Sequence, residues 1–395
     1  MPFRILSLDG GGIRGVMAAT MLATIEKQIQ QPLNEYFDLI AGASTGSILA
    51  AAIATGRSSE RIIELYRNKS SIIFPYQSRL SPRRLGLILR HGISAPKFSS
   101  TGLIEVLREV LGETTIFDVL SPLLLILAYD TIERQPIVFK NWRQDKGYGN
   151  IPLWETCVSS ASAPTYFPAH KLDKKIHGKV HNATSATINF DENASSSKDI
   201  YTDAIVRITS GLGGGQTRKI RRYVGRDRQA IIDSPWKEIP DTTSTYSITT
   251  IFSAIDGGVV ANNPSTCAVA EALKLGYSLD DITVLSIGTG DRTRVIPYDR
   301  ARHWGLLQWA QPIVGVVLDG SQDVSEYITE QMLHKRLLRL QFKLDRELID
   351  RKLSDEIDDV SEENINNLIA ASEIYLEQPK IKSALQEFLS LNQDS

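Results

Sequence analysis

The chain has 395 residues, room for two or three domains, or for one large α/β domain with an added piece. With 42% hydrophobic and 23% charged residues it has ordinary globular composition, which excludes a collagen-like, coiled-coil or wholly disordered chain. Lys and Arg (44) nearly balance Asp and Glu (46), so the net charge of −2 creates no global field for nucleic acid or membrane.

In chain order, Phe3–Leu8 is a short apolar run that reads as a strand and ends in Asp9-Gly10-Gly11-Gly12. Residues 16–29 place Met17, Met21, Leu22, Ile25 and Ile29 at spacings of three and four, an amphipathic helix. Residues 36–41 form a second buried-type run closed by Gly42, and residues 47–55 are small and apolar enough for a tightly packed helix. Residues 122–129 and 136–139 are further strands separated by a turn. Residues 284–287 are another, ending in Gly288-Thr289-Gly290. Apolar runs alternating with helices predict a three-layer α/β/α body with a mostly parallel central sheet, whose ligands bind at the carboxyl ends of strands. Glycines sit at three of those ends.

Residues 174–249 change character. Helical periodicity vanishes, and short alternating runs at 204–210, 218–224, 229–233 and 245–249 predict an inserted small all-β module. The module holds 12 Lys and Arg against 8 Asp and Glu, so the near-neutral average hides a basic insertion. After Ser354 the chain is acidic and then helical, with Pro379 dividing two helices. The expected organisation is a body in two parts, 1–173 and 250–350, an inserted β module, 174–249, and a helical C-terminal tail, 351–395.

Gly42-Ala43-Ser44-Thr45-Gly46 matches G-x-S-x-G, in which a serine on a tight strand-to-helix turn exposes its Oγ between the small residues Gly42 and Gly46. The bare pattern is common, but a strand before and a small-residue helix after are the context it needs. The run Asp9-Gly10-Gly11-Gly12-Ile13-Arg14-Gly15 also follows a strand and opens a helix. Its backbone N–H groups suit an oxyanion hole or a phosphate cradle, and Arg14 either adds charge beside the anion or braces the loop. A nucleotide site is the weaker reading, since no Lys-Ser/Thr follows as a P-loop requires.

The serine needs a base. Of six histidines only His170, just after Ser162-Ala163-Pro164-Thr165-Tyr166-Phe167-Pro168, is a candidate. Asp256, followed by Gly257 and Gly258 after an apolar run, is the better one, with an ordinary Asp-Gly turn as its rival. Burial of a carboxylate raises its pKa and makes it a competent base.

DGGGIRG at 9–15, GASTG at 42–46 and DGG at 256–258, in that order, resemble the patatin-like phospholipase family, as do SASAPTYFP at 160–168 and LSIGTG at 285–290. The resemblance covers roughly residues 1–172 and 250–345. It implies a Ser44–Asp256 dyad without histidine and an oxyanion-hole segment of Gly10, Gly11, Gly12 and Arg14. It also implies hydrolysis of acyl esters in phospholipids or galactolipids through an acyl-enzyme, with no metal or cofactor, and leaves His170 a packing residue. The chain departs from the family's pattern in the roughly 80 residues between the APTYFP and DGG segments. The stretch YTDAIVRITSGLGGGQTRKIRRYVGRDRQAIIDSPWKEIPDTTSTYSI resembles small β modules of phage tail and virion-associated proteins.

Three functions compete. They are a lipid acyl hydrolase, an esterase on non-lipid acyl groups, and a partner-binding protein whose β insertion carries the main role. The intact serine, aspartate and glycine loop argue for an enzyme. Two apolar stretches, residues 80–90 with Arg83 and Arg84, and Trp304, Leu306, Leu307, Trp309, Ile313 and Val314, read either as interfacial helices or as core-facing ones. The sequence lacks a signal-peptide pattern and any uninterrupted apolar run of about 18 residues. Cys157 and Cys267 cannot staple a fold of this size. The expected setting is cytoplasmic, with a phospholipid or other acyl-lipid substrate, contact with a membrane surface, no nucleic acid, and an unassigned partner for the insertion.

Overall fold

The computed structural model describes residues 2–76, 78, 81–92, 94–144, 147–309, 312–351 and 353–392, with the side chains of Arg90 and His91 left outside the description. Among the described residues twelve strands form one sheet, eleven of them on a single hydrogen-bonded path and one branching from it. They are β1 (Phe3–Leu8), β2 (Leu39–Ala43), β3 (Leu123–Asp130), β4 (Gln135–Lys140), β5 (His170–Ala183), β6 (Thr187–Phe190), β7 (Ile205–Ser210), β8 (Thr217–Val224), β9 (Gln229–Ile232), β10 (Thr245–Asp256), β11 (Ile282–Ile287) and β12 (Leu337–Leu340).

Strand β1 lies between β11 and β2, with Leu6 opposite Leu285 on one side and Ile40 on the other, and both pairings are parallel. β12 joins β11 and β3 joins β2, again in parallel. Strands buried on both faces read as nearly continuous apolar runs, which is why FRILSL and ITVLSI were legible as strands. Alternate residues feed two cores. Leu6, Leu8, Ile40 and Ile126 pack with helices Gly15–Ile29, Thr45–Ala54 and Thr101–Leu111, whereas Ile5, Leu39, Ala41 and Val284 pack with helix Ser265–Lys274 on the other face.

The expectation of a mostly parallel central sheet needs correction. Beyond β3 the pairing turns antiparallel, to β4 on one branch and to β10 on the other. From β10 the path runs through β5, β6, β9, β8 and β7, and β7 pairs back onto β10, closing an antiparallel barrel. The barrel has its own core, including Phe190, Tyr201, Val206, Ile220, Tyr223 and Tyr246. Closure leaves it no open edge.

The barrel is not hung on a linker. Strand β10 pairs with β5 from Thr245↔Lys179 to Ala254↔His170, and its last three residues pair with β3. The expected boundaries at 173/174 and 249/250 therefore fall inside β5 and β10. The segment read as a tail packs into the body as well: Leu368, Ala371 and Leu376 of helix Glu362–Glu377 and Leu385 of helix Pro379–Ser390 belong to the larger core. Among the described residues, no helix is long and apolar enough to cross a membrane.

Candidate active site

Ser44 sits at the turn between β2 and helix Thr45–Ala54 with φ 53 and ψ −126, a left-handed conformation that a non-glycine residue adopts only when its surroundings enforce it. The flanking glycines permit the enforcement. A Cβ on Gly42 would lie 2.3 Å from the Gly46 carbonyl oxygen, and one on Gly46 would lie 2.1 Å from that of Leu8. The Ser44 N–H donates to Ser160 Oγ at 2.9 Å, and the Ser44 carbonyl accepts from Ser47 Oγ at 2.6 Å. The elbow is pinned on both sides.

The Ser44 hydroxyl donates to Asp256 Oδ2 at 2.7 Å. Asp256 is the last residue of β10, and the Gly258 N–H holds its other oxygen at 2.7 Å. The backbone around it is fixed by Asp256 N–H to the Ser162 carbonyl (3.1 Å) and Gly257 N–H to the Ser160 carbonyl (3.0 Å). Burial pushes the Asp256 carboxyl up to about 6, with its two hydrogen bonds pulling the other way. A carboxylate titrating there is a far better proton acceptor than a free one.

The glycine loop lies against this pair. A Cβ on Gly10 would come within 2.8 Å of Ser44 Cβ and 2.3 Å of Asn262 Oδ1. Gly12 has φ +60, and a Cβ there would be 2.1 Å from the Ile357 carbonyl oxygen. Within the loop the N–H of Gly10 donates to the Asn262 carbonyl, that of Ile13 to the Ile357 carbonyl, and that of Arg14 to the Gly11 carbonyl. The N–H groups of Gly11 and Gly12 find no acceptor among the described residues. The Gly10 carbonyl is turned away from the site and accepts from Thr289 Oγ1 (2.6 Å) and Asn262 Nδ2 (3.3 Å).

Arg14 resolves toward bracing. Its guanidinium is buried and donates to the carbonyls of Gly11 (3.3 Å) and Gly290 (3.1 Å), so it ties the loop to the turn after β11. Burial lowers its pKa to about 10, which leaves it cationic at neutral pH. His170 is not joined to Ser44. Its ring packs edge-on against Trp154 with centroids 6.4 Å apart, its Nε2 lacks a partner among the described residues, and burial lowers its pKa.

Ser44 and Gly12 share an apolar cavity of about 50 Å³, walled by Ile48, Leu65, Phe74, Leu107, Phe167 and Ile357 among others. Tyr66 lines it too, its hydroxyl 2.5 Å from Thr45 Oγ1. Among the described residues no cluster of three or more His, Cys, Asp or Glu is placed to hold a metal ion.

Several contributors escaped sequence reasoning. Ser160 and Thr289 lie within the SASAPTYFP and LSIGTG segments with nothing local to mark a role, and nothing local marks Asn262 either. Arg339, on β12, pairs with Asp9 immediately before the glycine loop, and nothing local in the sequence marks it.

A family model described as Patatin-like phospholipase matches residues 6–207 of the chain. "Patatin-like protein 2" of Oryza sativa subsp. indica is 26% identical over 415 residues, spanning 95% of this chain and 84% of that protein. "Patatin-04/09" of Solanum tuberosum is 24% identical over 414 residues, spanning 97% and 86%. Among solved structures, human GIVD cytosolic phospholipase A2 aligns with a TM-score of 0.41 and 11% identity over 99% of this chain and 61% of its own. VipD from Legionella pneumophila aligns with a TM-score of 0.35 and 9% identity over 98% and 67%.

Proposed function

From the premise that this chain belongs to the patatin-like phospholipase family and is a lipid acyl hydrolase, we propose that it cleaves acyl esters of phospholipids with a Ser44–Asp256 dyad. The observation that carries the proposal is the 2.7 Å hydrogen bond from Ser44 Oγ to a buried aspartate, made at the mouth of an apolar cavity.

In the acylation step Ser44 Oγ attacks the ester carbonyl carbon while its proton passes to Asp256 Oδ2. The carbonyl electron pair moves onto oxygen, and the resulting oxyanion is held by the N–H groups of Gly11 and Gly12, the two donors that the loop leaves unused. Collapse breaks the bond to the alcohol oxygen, which takes the proton from Asp256 and leaves as the lysolipid. Water then attacks the acyl-enzyme, again losing a proton to Asp256, and the fatty acid departs as Ser44 regains its proton. Gly42, Gly46 and Gly257 admit close backbone approaches, Gly258 admits the side chains of Leu318 and Asn262, and Arg14 positions the loop.

The first carbons of the acyl chain enter the cavity of Ile48, Leu107 and Phe167, whose apolar walls favour an aliphatic over a small polar acyl group. A galactolipid presents the same ester, so the head group is a matter for assay. Residues 1–173 and 250–350 act as one hydrolase body, supported by β10, which carries Asp256 from the barrel into the body. Both cysteines are free thiols, in keeping with a cytoplasmic setting. The test is a phospholipid panel assayed with wild type, Ser44→Ala and Asp256→Asn. Loss in both variants is expected, and wild-type turnover in either overturns the dyad.

A further inference from the structure

Along a groove that shares Ile357 with the Ser44 cavity the chain presents an exposed apolar patch. Leu306 and Leu307 are 88% and 87% exposed, Val295 is 79% and Tyr298 75%. Trp304 and Trp309 stand edge-to-face next to the two leucines, with centroids 5.1 Å apart. Single exposed leucines are unremarkable, but a contiguous aliphatic and aromatic set marks a contact surface. The core-facing reading of this stretch does not fit such exposure.

The same stretch is basic. Residues 292–309 carry Arg292, Arg294, Arg300 and Arg302 against a single acid, Asp299. Arg292 reaches Asp319 (3.8 Å) and Arg294 reaches Glu356 (3.7 Å). Arg300 and Arg302 are exposed, and among the described residues neither meets a carboxylate. A groove lined by Trp304, Leu307 and Arg300 runs from the patch to Ile357, which is also a wall of the cavity that holds Ser44.

We infer that this patch docks the enzyme on an anionic lipid surface, with Leu306 and Leu307 inserted among acyl chains and Arg300 and Arg302 on headgroup phosphates. Charge selects this occupant. Two copies meeting through the patch would oppose arginine to arginine, whereas an anionic headgroup layer neutralises it. Tryptophans beside arginines suit the boundary between headgroup and acyl chain. The inference deepens the proposed function and rests on it, since it supplies the route by which an insoluble ester reaches the Ser44 cavity.

The test separates docking from chemistry. Co-sedimentation uses Ser44→Ala, which consumes no lipid, with phosphatidylcholine vesicles alone or mixed with phosphatidylglycerol. Binding is expected on the mixed vesicles and weakened by salt. Adding Leu306→Ser with Leu307→Ser, or Arg300→Gln with Arg302→Gln, should lower it roughly tenfold or more. In an otherwise wild-type chain the same pairs should leave hydrolysis of a soluble short-chain ester unchanged. Undiminished vesicle binding in both pairs overturns the inference. So does a parallel loss of soluble-ester hydrolysis, which marks a structural role, or a dimer in sedimentation velocity that Leu306→Ser dissolves. A wild-type enzyme that binds vesicles but hydrolyses neither ester contradicts the proposed function and leaves the docking surface standing.

Discussion

Asp9 and Arg339, 330 positions apart, form a buried ion pair immediately before the glycine loop, with Arg339 Nη2 2.6 Å from Asp9 Oδ2. Arg339 also donates to Ser286 Oγ (2.9 Å) and Glu326 Oε2 (3.0 Å), so one guanidinium ties together β1, β11, β12 and helix Pro312–Leu333. Burial pushes Asp9 up to about 6, and Arg339 opposes it. Arg339→Met leaves that carboxylate alone in the core and is expected to destabilise the fold by about 3–5 kcal/mol. Without its counter-charge Asp9 keeps its proton to a higher pH in the folded variant, so the deficit against wild type widens above about pH 6, where wild-type Asp9 ionises, and is smallest below it. Urea unfolding near both extremes checks it. An equal deficit at the two pH values contradicts this origin.

In the proposed dyad Asp256 is ionised to accept the Ser44 proton, and burial pushes its pKa up to about 6. The rate constant kcat/KM on a soluble ester is expected to rise through about pH 6 and level off above it. A profile flat down to about pH 4 contradicts Asp256 as the base.

The same group lowers stability. Its folded pKa of about 6 exceeds the reference value of 3.8, so its contribution is fully present below about pH 4 and is lost as pH rises through about 6. Asp256→Asn removes that loss and is expected to be inactive yet more stable than wild type at neutral pH, by up to about 3 kcal/mol. Asn can still accept from the Gly258 N–H and donate to Ser44 Oγ. Thermal unfolding across pH measures the difference, and a variant no more stable than wild type at neutral pH contradicts the raised pKa.

The barrel can be removed without cutting the strand that carries Asp256. Lys179 lies opposite Thr245, so replacing residues 180–244 by an Asn-Gly turn keeps the β5–β10 ladder, with Tyr246→Thr and Ile248→Thr to cover the uncapped face. Soluble-ester activity is expected to stay within about tenfold of wild type, an effect of at most about 1.4 kcal/mol on the barrier. A loss beyond about a hundredfold in a folded variant assigns the barrel a part in the chemistry.

What the sequence made legible was local. The nucleophile turn, the glycine loop and the Asp256-Gly257-Gly258 turn each declare themselves within a few residues, because close backbone approach leaves no room for side chains. Strand β11 is buried throughout and β1 and β3 nearly so, which makes their apolar runs plain. Strand β5, His170–Ala183, went unread since its polar and apolar residues alternate irregularly and include three lysines within 171–175. The barrel was read as a separate module because composition changes near residue 174, whereas hydrogen bonding does not: β10 runs unbroken from Thr245 to Asp256. Arg339 and Ile357 touch the loop only through the fold, and no spacing in the sequence encodes that meeting.

In the proposed mechanism Ser44 is the nucleophile, activated by Asp256. The most direct test is covalent labelling with a fluorophosphonate, read out by mass spectrometry of the intact protein and its peptides. The account predicts one adduct, on Ser44, absent in Ser44→Ala and formed at least about a hundredfold more slowly in Asp256→Asn. An adduct on another residue, or phospholipid hydrolysis by Ser44→Ala at the wild-type rate, contradicts it.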